Sequence, residues 1–539
     1  MFLSEFYKSF ENVPITSNLI TPPIDNATFG ILTVNAVSCN ATVQEQEFVF
    51  VIDRSGSMSD RCSDGRTKMQ HINHTLKNMI LYFYENPTIN LHIIVFAFDE
   101  NFVTVIERTR VHNSNLQSIL TKIDGIRPKG STNIELALNK TNNYISKLKT
   151  YNPRHNISHI FMTDGDATTG IRDHNVLKGL VVPDIENFFI GFGLNHDSSL
   201  LTHISSYKKS SYHFIDALEK AGLVYGEILH GILYKHLTEV EVSVKNGFVY
   251  NYKDNLWVNK LFIGDIVGEA NKTYHLISNT PDSCAIILTC TSLDEEYSFE
   301  ACELMNPTSN HLKYIYRQKT LELLFEVSQL QKNKMELETM YETTSFNNPP
   351  RCDDYSSKMK NILDEERQLK QKLRVFFEEI KKYMLDNNLN EDKILKNLCD
   401  DIYITYRTLG TRYGAMYTCA RQTSQGNQRS YTVSNTPQDT GFDGYGFTPL
   451  NFATRSGVSL LSPVRQTSGF HLFGEFNNND ESNDDDITLH LPEGLQHNVS
   501  SFDDAPYLTP TATRLMRDVS SSRDYYHSAD FDEETQRIY

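Results

Sequence analysis

The sequence predicts an α/β protein. Its main body is a doubly wound, mostly parallel sheet. A small β-sandwich-like module, a helical hairpin region and an acidic, disordered tail follow it. Three observations carry this. Apolar runs such as EFVFVID (47–53), LHIIVFAF (91–98), SHIFMTD (158–164) and IENFFIGF (185–192) alternate with amphipathic helical patterns, as buried parallel strands and their crossover helices do. After Leu237 the pattern changes to short β-rich runs. Near residue 435 the composition shifts to Asn, Ser, Thr, Gly and acid.

Taken in order, residues 1–28 carry Pro14, Pro22 and Pro23 and read as an irregular N-terminus. FGILTVNAVS (29–38) alternates like a strand. It lacks a helix partner, so 29–45 is assigned to the later β module. Residues 46–235 form the main domain. Within it Met69, Ile72, Leu76, Met79, Ile80 and Phe83 recur at 3–4 spacing, which makes 68–84 an amphipathic helix. Further helices are read at 115–123, 133–148, 176–180, 198–205 and 217–234, with strands at 102–106 and 212–215. Residues 236–300 hold TEVEVSV, FVYNY, LWVNKLFIG, TYHLIS and CAIILTC, with the turn signal Asn246-Gly247.

Residues 310–434 are helical. Ile362, Leu369, Leu373, Phe376, Ile380 and Tyr383 make a short heptad seam, a coiled-coil signature. Pro349 and Pro350 separate that helix from the preceding one, which predicts a helical hairpin. Another helix starts near Asn390. From Thr436 the chain holds 17 Asp or Glu, 6 Arg and no Lys, so 435–539 reads as disordered.

The 539 residues carry a formal net charge of −17. That balance disfavours non-specific binding to nucleic acid or anionic membranes. No stretch approaches the roughly 18 apolar residues of a membrane span. The N-terminus lacks the pattern of a signal peptide, and eight cysteines are too sparse for a disulfide scaffold. Cys284, Cys290 and Cys302 lack the paired spacing of a zinc site. A reducing, cytoplasmic setting is expected. Richness in Asn, Ile, Lys and Tyr suits an AT-rich genome, such as that of a single-celled eukaryote or a large DNA virus.

One constellation carries chemistry. Asp53-Arg54-Ser55-Gly56-Ser57-Met58 follows directly on a buried strand. Gly130-Ser131-Thr132-Asn133 precedes a helix, and Thr163-Asp164-Gly165-Asp166 ends another apolar strand. In open α/β sheets, ligands bind at such carboxyl ends. Two carboxylates and three hydroxyls from three loops make an oxygen-rich set suited to a hard divalent cation. The bland alternative is a set of capped helix starts and a surface acid.

DRSGSM, GSTN and MTDGD, in this order and spacing, resemble the von Willebrand factor A (VWA) domain and its metal-ion-dependent adhesion site (MIDAS). The fold expected of 46–235 is then Rossmann-like. The resemblance implies metal binding by Asp53, Ser55, Ser57, Thr132 and Asp164, with Mg²⁺ or Mn²⁺ as the ion. It also implies that a carboxylate from a protein partner completes the coordination. A second resemblance rests on DDIY (400–403), RTLGT (407–411) and ARQTSQG (420–426). It links 310–434 to the helical, Vwaint-like region found beside VWA domains in a family some of whose members carry an intein-like Hint domain.

Other chemistry is disfavoured. No GxSxG elbow or P-loop occurs, and His71 and His74 read as helix residues. His497-Asn498 lacks the module that self-splicing needs. Arg54, Arg61 and Arg66 surround the first loop as a local positive feature. Arg421, Gln422 and Arg429 are read as helix caps or partner contacts. The expected function is a non-enzymatic, metal-dependent protein-binding adaptor with no nucleic-acid partner and unknown oligomeric state. The alternative is a structural scaffold in which the metal only stabilises. A third reading, a metal hydrolase, has only Asp166 to offer as base.

Overall fold

The computed structural model describes residues 4–11, 26–37, 45–62, 64–152, 156–193, 196–215, 220–292, 295–304, 311–344, 352–411, 414–430 and 505–521. The chain opens with β1 (Ser4–Glu11), paired antiparallel along its whole length with β2 (Thr28–Ala36). The N-terminus expected to be irregular therefore contains a strand. Its alternation is masked in sequence because a lysine takes an inward position. The Lys8 stem is buried, and its ammonium reaches the Cys284 carbonyl at 2.6 Å.

The main domain follows: β3 (Gln46–Asp53), α1 (Lys68–Glu85), β4 (Leu91–Phe98), β5 (Phe102–Thr109), α2 (Asn113–Asp124), α3 (Ile134–Tyr151), β6 (Asn156–Thr163), α4 (His174–Gly179), β7 (Glu186–Phe192), α5 (Ser198–Ile204), β8 (Ser210–Ile215) and α6 (Ala221–Leu233). Its six-stranded sheet runs β5-β4-β3-β6-β7-β8. All neighbours are parallel except β5, which lies antiparallel at the edge. Every residue of β3 is buried because helices cover both faces. Phe48, Phe50 and Ile52 pack toward α1, α2 and α6. Val49 and Val51 pack toward α3 and α4. The strand pleat sends alternate side chains to opposite faces.

The sandwich comprises β9 (Lys235–Lys245), β10 (Phe248–Asn251), β11 (Leu256–Val258), β12 (Lys260–Val267), β13 (Asn271–Ser278), β14 (Ala285–Ser292), β15 (Glu295–Glu300) and β16 (Cys302–Glu303). One sheet has the order β11-β10-β13-β2-β1-β16 and the other β12-β9-β14-β15. Leu32, Val34, Val242, Val244 and Leu288 meet between them. Cys284 and Cys290 are buried and Cys302 exposed, all as free thiols.

Four helices follow: α7 (His311–Thr344), α8 (Cys352–Asp386), α9 (Lys393–Thr408) and α10 (Gly414–Asn427). The seam residues Leu369, Leu373, Phe376 and Ile380 are buried, in one continuous apolar cluster with the α3/α4/α5 face of the main domain. Arg421 and Gln422, read as caps or partner contacts, are internal instead. Arg421 pairs with Asp401 at 2.8 Å, both side chains fully buried. Gln422 donates to the Tyr252 carbonyl at 3.2 Å.

The tail is not uniformly as its composition suggests. Residues 505–521 carry α11 (Pro510–Ser520), whose Ala512, Leu515, Met516 and Val519 are buried against α6 and α1. Full burial of Leu515, Met516 and Val519 contributes roughly 5–9 kcal/mol of gross apolar stabilisation. The close fit depends on Gly222 and Gly226. A Cβ on either would lie about 2.5 Å from the backbone of Ser520 or Met516. Asn78 donates its amide to the Val519 and Ser521 carbonyls, at 2.8 and 2.9 Å. Four apolar residues among many acids escape a compositional average. His497 and Asn498, with the other residues of 431–504, lie outside the described residues.

Candidate functional site

The site sits where the chain reverses direction across the sheet. From β3 it moves outward to β4 and β5, then returns to β6 on the other side of β3. This leaves a crevice at the carboxyl ends of β3 and β6. DRSGSM leaves β3 into a single turn of 3₁₀-helix, Gly56–Ser59. MTDGD leaves β6. The GSTN loop enters α3, where Asn133 caps the helix by accepting from the Leu136 amide at 2.9 Å.

Backbone bonds bring the three loops together. The Gly56 amide donates to the Gly130 carbonyl at 3.0 Å, and the Thr168 amide to the Thr132 carbonyl at 2.9 Å. Gly130 has φ near +70°, and a Cβ there would also crowd Glu100.

Asp53 is fully buried. One oxygen accepts from the Ser55 amide at 2.7 Å and the other from the Thr163 hydroxyl at 2.6 Å. Ser55 Oγ and Ser57 Oγ lie 3.1 Å apart, and Ser57 Oγ donates to Asp164 at 2.7 Å. Asp164 is also fully buried. Thr132 is buried, and its hydroxyl makes no hydrogen bond to a described residue. Burial pushes the Asp53 carboxyl up to about 6; the Thr163 hydrogen bond opposes this and the Asp164 charge adds to it.

Four features were not singled out in sequence. Lys68, the first residue of α1, places its ammonium 2.6 Å from Asp164 and 3.2 Å from Asp60. Burial is the largest single effect and lowers its pKa, but the charges and hydrogen bonds of Asp164 and Asp60 together outweigh it and hold it raised. Asp99, at the end of the strand beside β3, is fully buried and takes Arg54 at 2.9 Å. Thr163 fixes the second oxygen of Asp53. The fourth is that two of the three arginines of the local positive feature are already paired with carboxylates. Besides Arg54, Arg66 pairs with Asp64 at 2.6 Å, and Arg61 donates to the Gly65 carbonyl. An acid at the end of LHIIVFAFDE was the available signal for Asp99. Lys68 had none, because its role depends on a fold-dependent approach to Asp164.

His71 is buried and hydrogen-bonded to Asp64 at 3.0 Å, while His74 is half-buried. Asp166 is exposed. Among the described residues, no group of three or more His, Cys, Asp or Glu side chains is placed to hold a metal ion. The candidate set is instead two carboxylates and three hydroxyls, a composition suited to a hard cation that keeps some of its waters. An ammonium already rests on one of the carboxylates. Buried charge, hydroxyl donors and an unused threonine hydroxyl are compatible with a cation at this point.

None of the curated proteins matches the chain. Among solved structures, a von Willebrand factor type A protein from Catenulispora acidiphila is 14% identical over 63% of this chain and 83% of its own, with a TM-score of 0.41. The ArnB paralog VWA2 from Sulfolobus acidocaldarius is 11% identical over 78% of this chain and 97% of its own, with a TM-score of 0.43. Proximal thread matrix protein 1 from the mussel byssus, with a zinc-occupied MIDAS motif, is 17% identical over 35% of this chain and 47% of its own; the TM-score is 0.28. Residues 47–224 of this longer chain match the family model of the von Willebrand factor type A domain.

Proposed function

We propose that the von Willebrand factor type A domain of this protein is a divalent-metal-dependent protein-binding module, with Mg²⁺ or Mn²⁺ as the ion. Domains of this type are typically interaction modules. The observation that carries the proposal is the meeting of two fully buried carboxylates, Asp53 and Asp164, with the Ser55 and Ser57 hydroxyls at the strand switch point. Buried carboxylates that share a site are costly unless cations sit with them; Lys68 supplies one positive charge, to Asp164, and a divalent ion would supply the rest.

Asp53, Ser55, Ser57, Thr132 and Asp164 would hold the ion. Bound there, it supplies an electrophilic centre with an exchangeable position for an anionic oxygen. Thr163 and the Ser55 amide fix the Asp53 carboxylate. Ser57 orients Asp164 through its hydroxyl. An Asp or Glu of a protein partner completes the coordination and makes recognition metal-dependent. The sandwich and the helical region, which resembles Vwaint, hold the domain from one side and leave the crevice to the partner. The module is read as non-enzymatic and cytoplasmic. Among the described residues no helix is long and apolar enough to cross a membrane.

The test is affinity capture with wild type and with Ser55→Ala/Ser57→Ala, each in Mg²⁺ and in EDTA. The proposal expects one set of partners lost in both EDTA and the variant, while the variant keeps its melting temperature in EDTA. An identical set in all four conditions refutes it.

A further inference from the structure

Away from the metal crevice, a cavity of about 570 Å³ opens where every module meets. Its walls come from the β7–β8 edge, α6, the sandwich strands β10, β12 and β13, the start of α7, the end of α10, and residues 507–509. This is the size of a small-molecule site. Seven Lys or Arg side chains line it against four carboxylates, although the chain as a whole carries −17.

Pairing leaves that excess in place: Lys209 and Lys260 are taken by Glu239 and Glu241, which are not part of the wall. Two of the carboxylates, Glu186 and Asp265, are both taken by Lys235, at 2.5 and 3.0 Å. Lys253, Lys272, Arg317 and Arg429 have no carboxylate within 4.0 Å among the described residues. Arg317 is 3% exposed; its Nη1 donates to the Thr273 carbonyl and its Nη2 to the Gln425 carbonyl, both at 2.8 Å, and its guanidinium lies over the Tyr507 ring at 5.7 Å. Its buried Nε has no hydrogen-bond partner among the described residues. Arg429 Nη2 donates to the Tyr212 carbonyl at 3.0 Å. Carbonyls orient a guanidinium but do not neutralise it. Burial pushes the Lys272 ammonium down to about 8; Glu227 opposes the shift and Arg429 adds to it.

Arg317 is buried, Lys272 and Arg429 are half-buried and Lys253 is exposed, and uncompensated cations cost more the further they are buried. A structure that orients several of them around one cavity is built for an anion. The aromatic walls, including Tyr252 and Phe262, offer apolar faces to the rest of a ligand. We propose that this inter-module cavity binds a phosphate-bearing small molecule, with Lys272, Arg317 and Arg429 as its anion-binding residues. Phosphate suits it because it brings up to two charges and several acceptor oxygens on one group, matched by guanidinium and ammonium donors.

The test is calorimetric titration of pyrophosphate into the full chain in EDTA, which removes the metal crevice from the readout. Wild type is expected to bind, with affinity falling as salt rises. Lys272→Gln/Arg429→Gln should weaken binding by at least about tenfold per cation removed, and Lys272→Arg should retain it. Lys253→Gln, at the exposed rim, provides a milder variant if the double substitution unfolds the chain, and it should weaken binding measurably. Absence of binding by wild type at millimolar pyrophosphate overturns the proposal. So does equal affinity in the folded double variant or in Lys253→Gln.

Discussion

Replacing Lys68 by Met should strengthen metal binding while weakening the metal-free protein. In the fold, the Lys68 ammonium lies 2.6 Å from Asp164, with 12% of the side chain exposed. A divalent ion using Asp164 must share it with that ammonium or displace it. A charge-assisted hydrogen bond contributes roughly 1.5–3 kcal/mol, which is about 10- to 100-fold in an equilibrium constant. Met keeps the apolar stem, so packing changes little. Without metal, Asp164 then loses its counter-charge, and the apo protein should lose a similar 1.5–3 kcal/mol. The assay is thermal unfolding in EDTA and in saturating Mg²⁺, with Mg²⁺ titration by calorimetry. Wild type should show a small metal-induced rise in melting temperature, and Lys68→Met a larger one from a lower starting point. Equal or weaker Mg²⁺ affinity in Lys68→Met would refute the reasoning. It would place the ion elsewhere, or show that the lysine and the metal do not compete.

Three further outcomes follow from the fold. Arg421→Met should destabilise the chain by about 3–5 kcal/mol in denaturant unfolding, because Asp401, with no exposure, loses its counter-charge and must stay charged there or take up a proton. Asp401→Leu/Arg421→Met should recover most of that loss, and two additive penalties would contradict it. Gly226→Val should expel α11, since a Cβ there meets the Met516 backbone. Hydrogen exchange at 510–520 should rise to the rate of an unprotected segment, and unchanged protection would count against the packing. Stability should also fall on acidification. His159, His196 and His230 are each pushed down to about 4 by burial, against about 6.5 unfolded. Their contribution is complete above about 6.5 and is lost as pH falls toward 4, at roughly 2 kcal/mol per histidine by about pH 5. Asp53 and Asp401, both pushed up to about 6 by burial, act in the opposite sense. The net loss is therefore below the sum, and a stability that rises from about pH 6.5 to 5 would contradict it.

The main domain was legible because its signals are local. A strand buried on both faces reads as an unbroken apolar run, and β3 is such a run ending in Asp53. The three loops were legible for the same reason: each is a short string at a strand or helix end. What sequence did not disclose depends on partners distant in the chain. Lys8 in β1 looks polar until its stem is seen inside the sandwich. The four buried residues of α11 are diluted by the acids around them, and their partner faces are in α1 and α6. Arg421 looks like a surface residue, and only the fold supplies Asp401 twenty residues earlier. Lys68 is the same kind of case, because a lysine at a helix start has no local mark of a carboxylate ninety-six residues away.

The most direct test of the central claim is Mn²⁺ binding followed by electron paramagnetic resonance, for wild type and for Asp53→Asn and Ser55→Ala/Ser57→Ala. One bound Mn²⁺ per wild-type chain is expected, displaced by Mg²⁺ and absent from both folded variants. No bound Mn²⁺ in wild type, or the same bound fraction in all three proteins, would contradict it.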